Sequence, residues 1–145
     1  MSSFIYYICQ YSEADTLASH IKEKISEELI ANFAHLCAKL HNQGVLHRDF
    51  NPLNILVEQA KSTHSLSLVD INRISWENNL SIEKAMSSMS RLSLPRKIEN
   101  TFLEKYAELR EYDLKQCQQI LEKEKSKTER YFRNKRRLRK IFPKK

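Results

Sequence analysis

The chain has 145 residues, of which 41% are hydrophobic and 30% are charged, and its formal net charge is +7. This length and apolar content predict one globular domain with its own core and exclude wholesale disorder. Cys9, Cys37 and Cys117 are scattered and form no Cys-x-x-Cys pair, so the sequence suggests neither a disulfide framework nor a zinc site and predicts small buried side chains.

The first predicted element is a strand from Phe4 to Cys9, followed by a connecting segment from Gln10 to Glu13 and a helix over roughly Asp15 to Glu23. The strand is also the longest wholly apolar run of the chain. Because it is short and no basic segment precedes it, we expect neither a membrane span nor a secretory signal peptide, and therefore a cytoplasmic protein.

An amphipathic helix is predicted next, with Ser26 as its N-cap. Its apolar residues recur at spacings of three and four: Leu29, Ile30, Phe33, Leu36, Cys37 and Leu40. Gly44 is the only glycine in the chain. Its place just past the helix predicts the left-handed C′ conformation.

The stretch from His47 to Asp70 is the most informative part of the sequence. It reads His47-Arg48-Asp49-Phe50-Asn51-Pro52-Leu53-Asn54, then two apolar segments, Ile55 to Val57 and Leu66 to Val69, which end at Asp70. The polar segment 59–64 between them predicts a β-hairpin, which would bring Asn54 and Asp70 to neighbouring strand ends. Two oxygen ligands there suit Mg²⁺, which usually takes one or two from the protein.

This stretch resembles the catalytic loop and metal-binding Asp of the protein-kinase-like fold. The resemblance implies that Asp49 is the base or hydroxyl-orienting residue, that Asn54 and Asp70 are Mg²⁺ ligands, and that ATP is the phosphoryl donor. We expect His47 and Arg48 to support the loop structurally. Asp and Asn are also common in caps and turns, which is the alternative for these positions.

Two departures from the protein-kinase pattern narrow the group of kinases that the chain resembles. Asn51 stands where protein Ser/Thr kinases usually carry a Lys, and Asp70 is followed by Ile71-Asn72 rather than Phe-Gly. We expect Asn72 to adopt the positive φ of that turn. With the basic tail, these features resemble the lipopolysaccharide core kinases, the Kdo and heptose kinase group. That resemblance implies transfer of the γ-phosphoryl group of ATP to a sugar hydroxyl of the inner core, on a sugar or glycolipid acceptor.

The implied fold is mainly α with a small β-hairpin (α+β), that of a kinase-like C-terminal lobe. A chain with one glycine cannot contain the Gly-rich loop of the N-terminal lobe. We therefore expect residues 1–11 to be the last N-lobe strand and the hinge, residues 12–112 the C-lobe, and residues 113–145 a basic helix and tail. Little activity is expected without the missing lobe, for which a separate N-lobe chain is one candidate partner.

Three further helices are predicted. Residues 81–90 place Ile82, Ala85, Met86 and Met89 on one face, which is typical of core. Residues 97–111 repeat the pattern around Phe102, Tyr106 and Leu109, and a last helix begins near Asp113.

The basic charge is concentrated at the end of the chain. Residues 123–145 contain twelve Lys or Arg and two Glu, a net +10, so residues 1–122 carry −3. Apolar residues alternate there with six cations: Arg133, Lys135, Arg136, Arg137, Arg139 and Lys140. An amphipathic basic helix can contact the anionic inner face of the cytoplasmic membrane. The alternative is a solvated helix whose charges only favour solubility.

Two other functions remain open. One is a catalytically inactive kinase-like scaffold, which should tolerate loss of the carboxylates of Asp49 and Asp70. The other is a nucleic-acid-binding protein that uses the basic tail. We expect no specific nucleic-acid partner, because no recognised nucleic-acid module accompanies the tail.

Overall fold

The computed structural model describes residues 12–60 and 63–141. The strands are β1 (Asp15–Thr16), β2 (Val45–His47), β3 (Ile55–Ala60), β4 (Thr63–Leu68) and β5 (Ile74–Trp76). The helices are α1 (Leu17–Glu23), α2 (Glu27–Asn42), α3 (Ile82–Met89), α4 (Arg96–Leu109) and α5 (Leu114–Ile141). This confirms the prediction of a mainly helical chain with a small β-hairpin. The strand predicted at residues 4–9 lies outside the described residues.

Helix α2 begins and ends as its cap residues predict, and the turn after it leads into β2. The Ser26 hydroxyl accepts a hydrogen bond from the Leu29 amide at 3.1 Å, which confirms the predicted N-cap. Gly44 has φ +71°, and a Cβ there would collide with the carbonyl oxygen of Glu77. Only glycine fits this turn, after which β2 pairs antiparallel with β5.

The hairpin is longer than the sequence predicts. Strands β3 and β4 pair from Ile55 opposite Leu68 to Ala60 opposite Thr63, so most of the predicted polar turn is strand. The hairpin faces solvent on one side, which is why polar side chains fit its strands. The helix predicted from Asp15 begins instead at Leu17, because Asp15 pairs with β3 and Thr16 is the N-cap.

An aromatic column joins α2, α4 and the loop after β2. The ring of Phe33 lies 4.8 Å from that of Phe102 and 6.1 Å from that of Phe50. The rings of Phe102 and Tyr106 are 6.0 Å apart. Since Phe50 directly follows Asp49 and is only 2% exposed, the core fixes the backbone of that loop.

The remaining helices complete the core. Ala85, Met86 and Met89 of α3 are buried, as the sequence predicts, and the first turns of α5 contribute Cys117 and Leu121. Cys37 and Cys117 are buried and free, which confirms their prediction, whereas Cys9 lies outside the described residues. None of the helices in residues 12–60 and 63–141 has the length and apolar character needed to cross a membrane.

A buried polar chain connects three helices at the end of α2. Tyr106 lies 2.7 Å from Nδ1 of His41, and Ser88 lies 3.1 Å from its Nε2. The Ser88 hydroxyl donates to the Ala85 carbonyl at 2.8 Å. Ser88 must therefore accept from His41 Nε2–H, and Tyr106 must donate to Nδ1. Burial, and secondarily the charge of Arg110, lower the pKa of His41 from 6.5 to about 3.

Candidate active site

The loop between β2 and β3 is held by its own Asn and Pro residues. The side chain of Asn51 accepts from the Leu53 amide at 2.9 Å and donates to the Asp49 carbonyl at 3.0 Å. Pro52 opens a single 3₁₀ turn that ends at Asn54. The loop is therefore stabilised by local bonds that Asx and Pro residues favour.

Asn54 joins this loop to the hairpin. Its Nδ2 donates to the Asp49 carbonyl at 2.8 Å, which leaves its amide oxygen as the atom suited to a metal. Its backbone carbonyl accepts from the Val69 amide at 3.0 Å. Asn54 consequently lies beside the residue that precedes Asp70, as the hairpin register requires.

Asp70 occupies a strained backbone conformation at the end of the hairpin. Its φ is 60° and its ψ 44°, the left-handed region, while residues 71–73 form a 3₁₀ turn. The expectation of positive φ at Asn72 is therefore wrong. Asp, whose short side chain tolerates this region, takes the positive φ because its carbonyl is held by a neighbouring histidine.

That histidine is His47, which is 3% exposed. Its Nε2 lies 3.0 Å from the Asp70 carbonyl, and its Nδ1 accepts from the Asp49 amide at 3.3 Å. Nδ1 is an acceptor, so Nε2 carries the hydrogen donated to Asp70. Arg48 has an exposed side chain, and its backbone amide donates to the Arg73 carbonyl at 2.9 Å. These bonds tie the loop to the segment after the hairpin.

Two arginines contact the carboxylate of Asp49. Nε of Arg73 lies 2.6 Å from Oδ2 of Asp70, and its Nη1 lies 3.6 Å from Oδ2 of Asp49. Arg91, from the connection between α3 and α4, places Nη1 3.1 Å from Asp49 Oδ1. Two cations thus contact Asp49, although Asn51 stands where the resemblance to protein kinases implies a Lys. The sequence analysis missed Arg91, since no local pattern marks it.

Asn54 and Asp70 are the side chains of the loop and hairpin that could contribute oxygen ligands to a metal ion. No cluster of three or more His, Cys, Asp or Glu side chains that could hold a metal occurs in the described part of the chain. Asn54 and Asp70 offer one carboxamide and one carboxylate, which matches the one or two protein oxygens that Mg²⁺ usually takes beside nucleotide phosphates.

The carboxylate of Asp49 borders a cavity of about 680 Å³. The opposite wall is α5, and Arg136 is among its lining residues. Arg133, Lys135 and Arg137 lie on the same helix, exposed and outside this lining. The side chains of Arg139 and Lys140 lie outside the described part of the structure.

Residues 10–112 match the lipopolysaccharide kinase (Kdo/WaaP) family, an interval that contains the loop, the hairpin, Arg73 and Arg91. The match covers most of the chain and supports a kinase-like function related to lipopolysaccharide. The chain belongs to the lipopolysaccharide kinase (Kdo/WaaP) family.

Proposed function

We propose that this protein takes part in ATP-dependent phosphoryl transfer to a sugar hydroxyl of the lipopolysaccharide inner core. The supporting observation is the arrangement around Arg73. This one guanidinium contacts both the carboxylate of Asp49, at the cavity, and that of Asp70, beside Asn54. An acceptor hydroxyl bound in the cavity and a nucleotide bound at Asp70 would therefore lie beside two carboxylates that the same arginine joins.

Each residue has a distinct part in this proposal. Asp49 orients the acceptor hydroxyl and takes its proton as the oxygen attacks the γ-phosphorus and the bond to the β-phosphate oxygen breaks. Asn54 and Asp70 would hold Mg²⁺, which supplies charge neutralisation at the phosphates when bound. In this proposal Arg91 and Arg73, which contact Asp49, stabilise the charge of the transferred phosphoryl group.

His47 acts in the proposal as a positioning residue. Its two ring nitrogens contact the backbone of Asp49 and Asp70, so it fixes the separation of the proposed base from the proposed metal ligand. Because these contacts involve the backbone, the distance between the two functions depends on a buried, rigid group rather than on exposed side chains.

The test separates metal and nucleotide binding from transfer. Binding of Mg²⁺·ATP is measured by calorimetry, and transfer to an inner-core oligosaccharide by ³¹P NMR. We expect Asp49→Asn to retain binding and to abolish whatever transfer the wild type shows, and Asp70→Asn to weaken binding. Glu104→Gln, an exposed position on α4, is the control for loss of one carboxylate. An unchanged transfer rate in Asp49→Asn would remove the assignment of Asp49.

The same protein offers a surface for an anionic membrane, where a glycolipid acceptor would lie. Tyr131 and Leu138 are 56% and 57% exposed, and Arg133, Lys135 and Arg137 lie between them in sequence. We propose that this part of α5 contacts the inner face of the cytoplasmic membrane, with about 1 kcal/mol from each basic residue near the surface. Sedimentation with anionic vesicles should fall when residues 131–145 are removed, and equal sedimentation would contradict the proposal.

A further inference from the structure

Arg91 contacts two groups from distant parts of the chain. Its Nη1 lies 3.1 Å from Oδ1 of Asp49, and its Cζ lies 5.3 Å from the centre of the Phe132 ring, on α5. The side chains of Arg91 and Asp49 are 34% and 31% exposed. An ion pair between such partly exposed groups is too weak to keep a long side chain in one rotamer. The ring of Phe132 supplies the second contact that a fixed guanidinium needs.

The backbone at Arg91 is held as well. Its two neighbours, Ser90 and Leu92, are buried. The Ser90 hydroxyl donates to the Ser87 carbonyl at 2.8 Å and lies 2.9 Å from the hydroxyl of Thr128, on α5. Because the Ser90 hydroxyl has one hydrogen, Thr128 is the donor in the second bond. Helix α5 therefore contacts both residue 90 and residue 91.

These contacts of α5 follow from helical spacing. Lys125, Thr128 and Phe132 are three and four positions apart, so they share one face of the helix. Lys125 forms an ion pair with Glu99 of α4, and Leu121, four positions earlier, is buried in the core. The face is thus docked over more than two turns. All of α5 lies beyond residue 112, where the family match ends.

We propose that Phe132 is a positioning residue for Asp49 and that it acts through Arg91. Phe132 holds the guanidinium of Arg91, and Arg91 holds Oδ1 of the Asp49 carboxylate. Oδ2, whose contact with Arg73 is longer at 3.6 Å, is then the oxygen available to an acceptor hydroxyl. The catalytic consequence rests on the proposed function, whereas the chain of contacts from α5 to Asp49 does not.

A fixed carboxylate matters because a base must lie within hydrogen-bond reach of the proton that it takes. A displacement of about 1 Å can lower a rate about a hundredfold. Without the ring of Phe132, Arg91 would keep its charge but would no longer keep one rotamer. The proposal therefore separates the charge of Arg91, which Phe132 does not affect, from its position, which Phe132 fixes.

The position of Arg91 is measured by NMR on the full chain, without substrate. The Nε–H signal of Arg91, identified by its loss in Arg91→Gln, reports the ring of Phe132, because protons near a ring face are shifted upfield. Phe132→Leu should move this signal downfield. It should also move the side-chain carboxyl ¹³C signal of Asp49 in the direction that Arg91→Gln moves it. Phe132→Tyr keeps the ring and should leave both signals near their wild-type positions.

The matched control is Tyr112→Leu. The ring of Tyr112 lies 4.9 Å from the guanidinium carbon of Arg110, so this variant removes the same kind of contact elsewhere in the fold. It should move the Nε–H signal of Arg110 and leave the Asp49 signal unchanged. Phe132→Leu combined with Arg91→Gln should have no further effect on the Asp49 signal, because the contact through which it acts is gone. Circular dichroism checks that each variant keeps its helices.

Phosphoryl transfer to an inner-core oligosaccharide measures the catalytic consequence. Phe132→Leu should lower kcat about tenfold and leave the KM for ATP within about twofold, because the carboxylate loses its orientation while the proposed nucleotide site keeps its residues. Phe132→Tyr should restore most of the rate. In the Arg91→Gln protein, Phe132→Leu should cause no additional loss of kcat.

Four results would overturn the inference: an unchanged Asp49 signal in Phe132→Leu, an equal change in Tyr112→Leu, a full effect of Phe132→Leu in the Arg91→Gln protein, or an unchanged kcat in Phe132→Leu. The two measurements also separate this inference from the proposed function. If the signals move as expected but the wild type transfers no phosphoryl group, the proposed reaction fails and the positioning of Asp49 stands. If the wild type transfers phosphoryl groups and Phe132→Leu leaves the Asp49 signal unchanged, the reaction stands and the positioning fails.

Discussion

Acid should destabilise this protein through the side chain of His41, at the end of α2. The ring is 3% exposed and sits between Tyr106 and Ser88, which fix it as a neutral imidazole. A proton on Nδ1 would replace the hydrogen bond that Tyr106 donates, and it would place a charge in the core near Arg110. Burial therefore lowers the pKa of His41 to about 3.

The size of the loss in the free energy of unfolding follows from the difference in the pKa of His41 between the folded and unfolded states. Because the folded pKa is lower than the unfolded value of 6.5, the unfolded state binds the proton first as pH falls. The stability linked to His41 is complete above pH 6.5 and is lost progressively between pH 6.5 and pH 3. At pH 4.5, two units below the unfolded value, the loss is about 2.7 kcal/mol.

Urea denaturation of the wild type and His41→Gln at pH 7 and pH 4.5 measures this contribution. The variant should be less stable at pH 7, by about 1 to 3 kcal/mol, because Tyr106 and Ser88 lose a well-fitted partner. Its stability should then fall about 2.7 kcal/mol less than that of the wild type on acidification. Asn42→Gln, an exposed neighbour, is the control. Parallel losses in the wild type and His41→Gln would refute the reasoning.

Three further changes have defined outcomes. Gly44→Ala should lower the free energy of unfolding by more than about 1 kcal/mol, since the turn has positive φ and a Cβ meets the Glu77 carbonyl; an unchanged melting temperature would contradict this. Arg73→Gln should raise the affinity for Mn²⁺, a probe for Mg²⁺, about two- to fivefold, because a half-exposed guanidinium no longer competes for Asp70; weaker Mn²⁺ binding would show that Arg73 orients that carboxylate instead. Phe102→Ala should cost about 3 to 5 kcal/mol in urea denaturation, since its ring stacks on Phe33 in the core.

Features set by neighbouring residues could be predicted from the sequence. Ser26 and Gly44 bound α2 because a cap and a left-handed turn each depend on a few adjacent residues. The hairpin follows from two apolar segments and a polar connection, and its register then brings Asn54 near Asp70. The apolar face of α3 follows from helical periodicity.

Features set by distant residues could not be predicted in this way. Arg91 contacts Asp49 across 42 positions of sequence, and neither residue has a local pattern that indicates the other. The left-handed backbone at Asp70 depends on His47, which reaches it from β2. Strand β1 exists only because β3 offers a free edge to Asp15 and Thr16. The secondary-structure propensities of individual residues do not predict these contacts, because the contacts form only when the elements pack together.

The basic tail contains residues that lie on two different faces of α5. Phe132 and Arg136 are four residues apart, so they share one face of α5, and that face lines the cavity. Tyr131 and Leu138 are seven apart and share a different face, exposed to solvent. A charge run read from sequence alone predicts a single anionic partner, whereas helical geometry assigns its members to a cavity wall and to an outer surface. If the membrane proposal holds, neutralising Arg133 and Arg137 should reduce vesicle sedimentation, whereas Arg136→Gln, on the face that lines the cavity, should leave it unchanged.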